Sequence, residues 1–166
     1  DSLTAIALPS SYVISFSIIA HGISFHFNII LCASGPKLID LGAAAVLEVR
    51  DDEVNQTLLT QGTVLSFVGT HGFMPPEAYR DRAQVGPHSD VFAISATLYF
   101  LLSRQMPFHA ADEYGWMFAV AGNMEEQAPS LCDVCPGISM GLSDIITKGL
   151  QKKISDRHSD AMDMKR

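Results

Sequence analysis

Residues 90–104 read DVFAISATLYFLLSR, and this segment constrains the fold more than any other. Val91, Ile94, Leu98 and Leu101 share one face at helical spacing, and Phe92, Tyr99 and Phe100 fill the others. A helix that is apolar nearly all round has to be enclosed by other elements. It therefore belongs in the middle of a core, with Ser89 or Asp90 as a candidate N-cap. The rest of the chain has to supply the elements that wrap it.

Those elements are mostly helical. Residues 112–122 predict a second helix that ends near Gly122. Residues 140–152 predict a third, with Ile145, Ile146 and Leu150 inward and Lys148, Lys152 and Lys153 outward; its basic C-terminal turn suits the helix dipole. Ser159 is a candidate cap for a last short helix through Met162 and Met164. Trp116, Met117 and Phe118 fall together on the second helix, either packed into the core or forming an exposed apolar patch for a partner. Nearer the N-terminus, residues 11–25 predict a buried helix. Ile29–Cys32 and Lys37–Asp40 flank the turn signal Ala33-Ser34-Gly35-Pro36 and predict a hairpin. Leu41 to Gln61 shows no firm period and reads as a loop.

Composition narrows the class. A length of 166 residues fits one domain or a large piece of one. Hydrophobic residues make up 48% and charged residues 17%, which allows a sizeable core and excludes a disordered tail. The net charge is −7, and no Lys/Arg cluster exists beyond Lys152-Lys153, so nucleic acid is not an expected partner. No charged side chain stands between Asp1 and Lys37. The stretch Tyr12–Cys32 is long enough to cross a bilayer. It carries His21, Gly22, His26, Asn28 and several serines and has no basic flank, so neither a span nor a secretory signal is expected. Residue 1 is not Met, which reads as a truncation or a processed end. Three cysteines make a disulfide scaffold a poor fit and favour a reducing, cytoplasmic location.

Several isolated signals stay weak. Cys132-Asp133-Val134-Cys135 is a lone C-x-x-C without a second ligand pair for zinc. Gly137-Ile138-Ser139-Met140-Gly141 fits a nucleophile elbow, but Pro136 precedes it and only His158 follows as a base, so a serine hydrolase is a minor reading. The other histidines are scattered and read as packing or solvent-facing residues. Asn28 and Asp40 flank the predicted hairpin and would stand at one end of it. There, two oxygen donors could share Mg²⁺, or each could be satisfied structurally.

Longer motifs settle the class. Gly69-Thr70-His71-Gly72-Phe73-Met74-Pro75-Pro76-Glu77 resembles the end of a protein-kinase activation segment. Ser89 to Tyr99 resembles that family's central buried helix, closed by Pro107-Phe108. Ile154-Ser155-Asp156-Arg157 resembles the segment with the family's Arg before the last helix. Asn28-Ile29-Ile30-Leu31 and Lys37-Leu38-Ile39-Asp40-Leu41-Gly42 resemble the metal-binding Asn strand and the Asp-Phe-Gly motif, with Leu for Phe. These matches come in order across residues 20–166, and the chain resembles the helical C-terminal lobe of a serine/threonine protein kinase.

The resemblance implies a mainly α fold with one small hairpin, no small N-terminal lobe, and residues 1–166 forming a partial kinase domain. It implies an activation segment over 41–77, with the loop at 41–68 and Thr57, Thr60, Thr63 and Ser66 as candidate phosphosites. ATP and Mg²⁺ are the implied cofactors, with Asp40 and Asn28 as metal ligands. Thr70 would face the catalytic Asp, and Gly42 would complete the metal motif. Glu77 and Arg157 would form a buried ion pair, and Asp90 would hold the catalytic-loop backbone. The implied partner is a protein substrate or a docking protein.

The departures matter as much. Counting back from Asn28, Ile23 stands at the catalytic Asp position and Phe25 at that of the phosphate-facing Lys. In a second alignment, which we slightly prefer, residues 19–26 end the preceding helix and the catalytic loop is deleted. Either way no carboxylate can accept the substrate hydroxyl proton. No G-x-G-x-x-G occurs, and the catalytic-loop Arg that would pair with a phosphate is missing. Two readings follow: a fragment of an active kinase, itself incompetent, or a pseudokinase-like binding module. An uncovered lobe face would favour self-association.

Overall fold

The computed structural model describes residues 12–15, 29–33, 35–38, 45–50, 53–58 and 71–166 except 111. Among these, helices dominate from residue 71 onward: α1 (Pro76–Arg80), α2 (Pro87–Ser103), α3 (Glu113–Met117), α4 (Leu131–Val134), α5 (Met140–Gly149) and α6 (Ala161–Met164). A π-helical turn, Phe118–Gly122, continues α3.

Helix α2 is the axis. Proline at its first position is already set to helical φ, and its missing N–H is one that would have had no partner in the helix. The N-cap is Gly86, ahead of the expected Ser89 or Asp90. Ser89 instead occupies the third helical position and accepts a 3.2 Å hydrogen bond at Oγ from the Gly86 N–H. The helix ends at Arg104, whose φ of 59° turns the chain left-handed. Phe92, Ala96 and Tyr99 are buried among Phe73, Phe108, Val120, Leu131 and Ile146. Full burial of each large apolar side chain is worth about 1.5–3 kcal/mol, so this cluster dominates the stability. Phe92 and Phe108 stack with ring centroids 6.3 Å apart, and Phe73 meets Phe100 edge-on at 6.1 Å. Such pairing adds specificity to the burial.

The predicted hairpin is present as β2 (Ile29–Cys32) and β3 (Gly35–Leu38), antiparallel from Ile29↔Leu38 to Cys32↔Gly35. Its second strand starts at Gly35, whose φ of 104° takes up the turn, two residues earlier than expected. Ile29 packs against the helical core, which ties the hairpin to it. Two other expectations are overturned. Tyr12–Ser15, expected as part of a helix, is strand β1. The region expected as a loop contains β4 (Ala45–Arg50) and β5 (Glu53–Leu58). They form a sheet in the order β1-β4-β5, antiparallel throughout. The runs YVIS and AVLEVR are rich in β-branched residues, and that local preference outweighs the helical reading of 11–25.

The C-terminal half also differs in detail. Helix α5 stops at Gly149, with Ile146 and Leu150 buried and Ile145 exposed. Asp160, not Ser159, caps α6, accepting at Oδ1 from the Asp163 N–H. Among the described residues no helix is long and apolar enough to cross a membrane.

Gly149 is where α5 lies closest to α2. A Cβ there would collide with the Ser95 side chain. Ser95 Oγ is buried and has no hydrogen-bond partner among the described residues, so this contact is made for closeness. Gly149→Ala should therefore destabilise the fold by about 1–3 kcal/mol through overpacking. Urea midpoints would read the loss, and adding Ser95→Gly should recover part of it. Equal midpoints for wild type and Gly149→Ala would contradict this packing.

Candidate functional site

The polar centre of the lobe is built on α1. Pro75 caps this helix and Pro76 opens it, so the chain enters with little conformational choice. Glu77 follows and is buried. Arg157, eighty positions later in the chain, reaches it across the lobe. Its Nη1 donates to Glu77 Oε1 at 2.8 Å and its Nη2 to Oε2 at 3.2 Å, a two-pronged pairing. The remaining guanidinium hydrogens go to carbonyls: Nη1 to His88 at 2.9 Å, Nε to Gln151 at 2.9 Å, and Nη2 to Lys152 at 3.4 Å. All five donors of the guanidinium are thereby used. Its Cζ lies 5.1 Å from the Phe92 ring centroid, which couples the ion pair to the apolar core.

Ser89 completes the arrangement by donating to Glu77 Oε1 at 2.6 Å. His88 Nε2 lies 3.8 Å from the same oxygen, but 2.8 Å from the Gln84 carbonyl, which is its partner. Burial pushes the Glu77 carboxyl upward; the hydrogen bond and charge of Arg157, helped by Ser89, outweigh it and hold the group below the ordinary carboxylate range.

The other predicted site residues fall in different places. Asp90 is buried in the first turn of α2, where the positive end of the helix favours a carboxylate. Asn28, Asp40, Gly42, Thr70 and Ile23 lie outside the described residues, as do Thr60, Thr63, Ser66 and the catalytic-loop backbone expected to meet Asp90. Thr57 falls within β5. The pairing of β2 with β3 ends at Ile29↔Leu38, one residue after Asn28 and two before Asp40.

Two weak signals are resolved by their surroundings. Ser139 is the N-cap of α5 and accepts at Oγ from the Leu142 N–H at 3.3 Å, with no strand leading into it; this is a capping serine. Among the described residues no three His, Cys, Asp or Glu side chains gather as a metal site.

One residue was misplaced by its sequence pattern. Lys152, expected outward, is only 2% exposed. Its ammonium donates to the carbonyls of Ala119 and Asn123 at the end of the π-helical turn, sits 3.5 Å from Glu126 Oε2, and lies 4.3 Å from the Phe108 ring. Burial lowers its pKa, against the pull of Glu126. A cation tying down helix-end carbonyls was not legible from a basic C-terminal turn. The role of Ser89 toward Glu77 was likewise missed, because Ser89 reads locally as a cap. Beside that tied-down turn, Trp116 is half-buried, while Tyr114 and Phe118 are 80% and 68% exposed, so the aromatic group is split between core and surface.

Removing one partner of a buried ion pair strands the other, at a cost of about 3–5 kcal/mol. Arg157→Ala should show that loss in urea unfolding at neutral pH, while the apolar double replacement Glu77→Leu/Arg157→Met should recover most of it. The folded-state pKa of Glu77 lies below its unfolded one. Its contribution is therefore complete above the ordinary carboxylate range and is lost as pH falls toward the folded value. The double variant should lack that acid-side loss, and identical acid profiles would contradict it.

With this geometry in place, relatives can be compared. The family model "Protein kinase domain" matches residues 26–166. The chain is 36% identical over 106 residues to "Probable serine/threonine-protein kinase PkwA" of Thermomonospora curvata, covering 64% of this chain and 13% of that protein. It is 29% identical over 138 residues to "Probable serine/threonine-protein kinase PknB" of Lactococcus lactis, covering 82% of this chain and 20% of that protein. The chain thus spans a fifth or less of the length of these two relatives. In fold it is similar to the kinase PK-1 of Cydia pomonella granulovirus, with a TM-score of 0.60 and 16% identity, over 93% of this chain and 49% of that one. The chain belongs to the protein kinase family, with serine/threonine kinases among its relatives, and its fold is that of the family's mainly helical lobe.

Proposed function

We propose that this chain is the substrate-side lobe of a serine/threonine kinase whose full-length form transfers phosphate from ATP to protein hydroxyls, and that the chain itself does not catalyse transfer. The observation that carries the first half is the Glu77–Arg157 clamp, with Ser89 and the buried Asp90 beside it. In this reading the clamp braces the end of the activation segment, residues 41–77, against α2. Thr70, just before the described part of that segment in the sequence, stands at the position that faces the catalytic Asp in the full-length family. Asn28 and Asp40 fit Mg²⁺ in donor type, since both offer hard oxygens, and in the sequence they stand just before β2 and two residues after β3. Mg²⁺ would neutralise charge on the ATP phosphates there. The chain's own part is to hold that ion by Asp40 and Asn28, with Gly42 allowing the backbone to turn away.

The second half rests on what the sequence lacks. Phosphoryl transfer needs a group to accept the hydroxyl proton and fixed charges around the phosphates. Ile23 offers neither, and no Gly-rich loop is present to cover the nucleotide. An intact clamp beside a missing acceptor also supports a second reading, a pseudokinase-like module that binds a protein partner without transfer. A cytoplasmic location belongs to the same proposal, because all three cysteines are free.

The test is a transfer assay with γ-labelled ATP, Mg²⁺ and a general protein substrate. The purified chain and its Asp40→Ala variant should both give background labelling. Strong metal-dependent labelling by the chain, abolished by Asp40→Ala, would overturn the incompetence.

A further inference from the structure

The C-x-x-C pair is not absorbed by the kinase reading, and its setting points to a separate chemistry. Cys132 lies within α4, and Cys135 caps its C-terminal end, with the Cys135 N–H bonded to the Leu131 carbonyl at 2.8 Å. The two cysteines thus share one helical turn. Both are free and partly exposed, so a small oxidant can reach them. Neither sulfur is idle. Cys132 Sγ donates to the Ile138 carbonyl at 3.7 Å, in the turn before α5, and Cys135 Sγ donates to the Leu102 carbonyl at 3.4 Å, in the last turn of α2.

We propose that Cys132 and Cys135 form a redox-sensitive dithiol, closed reversibly to an intrachain disulfide by a low-molecular-weight disulfide of the glutathione type. One cysteine thiolate attacks the oxidant's S–S bond, giving a mixed disulfide and releasing one half as a thiolate, which takes a proton. The second cysteine thiolate attacks the protein-side sulfur, the Cys132–Cys135 bond forms, and the other half leaves and is protonated. Two S–H groups are lost, and two electrons and two protons pass to the oxidant.

The geometry makes the bond attainable and labile. Cβ atoms three residues apart on a helix are about 5–6 Å from each other, against about 3.5–4.5 Å in a disulfide. Closure therefore has to tighten the turn. Cys135 has already left helical geometry, with φ −137° and ψ 88°, so the adjustment falls at the helix end and spares the interior. A bond closed under such tension is easily reduced, as regulatory disulfides are. Closure also has a structural readout. A disulfide sulfur carries no hydrogen to donate, so the Leu102 and Ile138 carbonyls both lose the thiol that donates to them, while Leu131 at the start of α4 is buried in the core. The effect is directed at the end of α2 and the start of α5.

The experiment equilibrates the full chain with reduced and oxidised glutathione, traps free thiols with N-ethylmaleimide in acid, and maps the peptides by mass. The peptide spanning 132–135 should lose two hydrogens. Its oxidised fraction should depend on the square of the reduced glutathione concentration, and dithiothreitol should restore it. Cys32, alone and exposed, should form only a mixed disulfide with first-power dependence. Amide exchange after oxidation should rise several-fold around residues 102–105 and 138–142. Cys135→Ser, which keeps a hydroxyl donor, should accumulate a mixed disulfide at Cys132 and never the internal bond. Glutathione adducts on wild-type Cys132 or Cys135 without an internal bond, or an internal bond seen only in urea, would overturn the proposal.

Discussion

The Glu77–Arg157 pair is the constraint on which the lobe depends. It joins the short helix α1 to the segment before α6, two regions far apart in sequence, through side chains almost wholly removed from water. Ion pairs of this kind add little net stability, because desolvating both charges offsets most of their attraction. Their effect is geometric. A guanidinium with all five hydrogens engaged has one position, and so does the carboxylate that meets it. Ser89 then holds α2 to the same carboxylate, and Phe92 lies against the guanidinium. Polar centre and apolar core are in this way fixed by one side chain, and neither can shift alone.

Lys152 repeats this logic on a smaller scale. A π-helical turn ends with carbonyls that the helix cannot satisfy. Lys152, five residues before Arg157, reaches back to the carbonyls of Ala119 and Asn123. The loop carrying both cations therefore secures two separate helix ends. The backbone carbonyls of Gln151 and Lys152 in turn accept from Arg157, so the loop is braced by the cation it presents.

Much of this was legible in the sequence, and the reason is periodicity. Helix α2 announces itself by apolar residues on every face, and the hairpin by two apolar runs around a Gly-Pro turn. The ion pair was legible only through the order of motifs, since nothing local links Glu77 to Arg157. Three features resisted for the same physical reason. Tyr12–Ser15, Ala45–Arg50 and Glu53–Leu58 are strands that pair with one another, and because β1 meets β4 some thirty residues away, their β-branched residues are only a partial local mark. Ser89 reads as a cap because its neighbours on the chain say so, while its strongest bond goes to another helix. Lys152 reads as exposed because it is charged, while its ammonium meets carbonyls supplied from elsewhere.

The proposed contrast between an intact clamp and a missing proton acceptor follows from what each must do. Glu77, Arg157 and Ser89 are set into the core, so changing one strands a buried charge or hydroxyl and costs the fold itself. A catalytic carboxylate makes no such demand. It has to face a substrate, and it is kept partly solvated and free of tight partners so that it can take a proton. In the proposed reading its loss removes chemistry and leaves the buried Glu77–Arg157 pair as it stands. On that reading the lobe can keep its clamp and its core even where transfer is lost. On this argument the scaffold alone is no measure of activity, and the residues that report on catalysis are those the fold does not need.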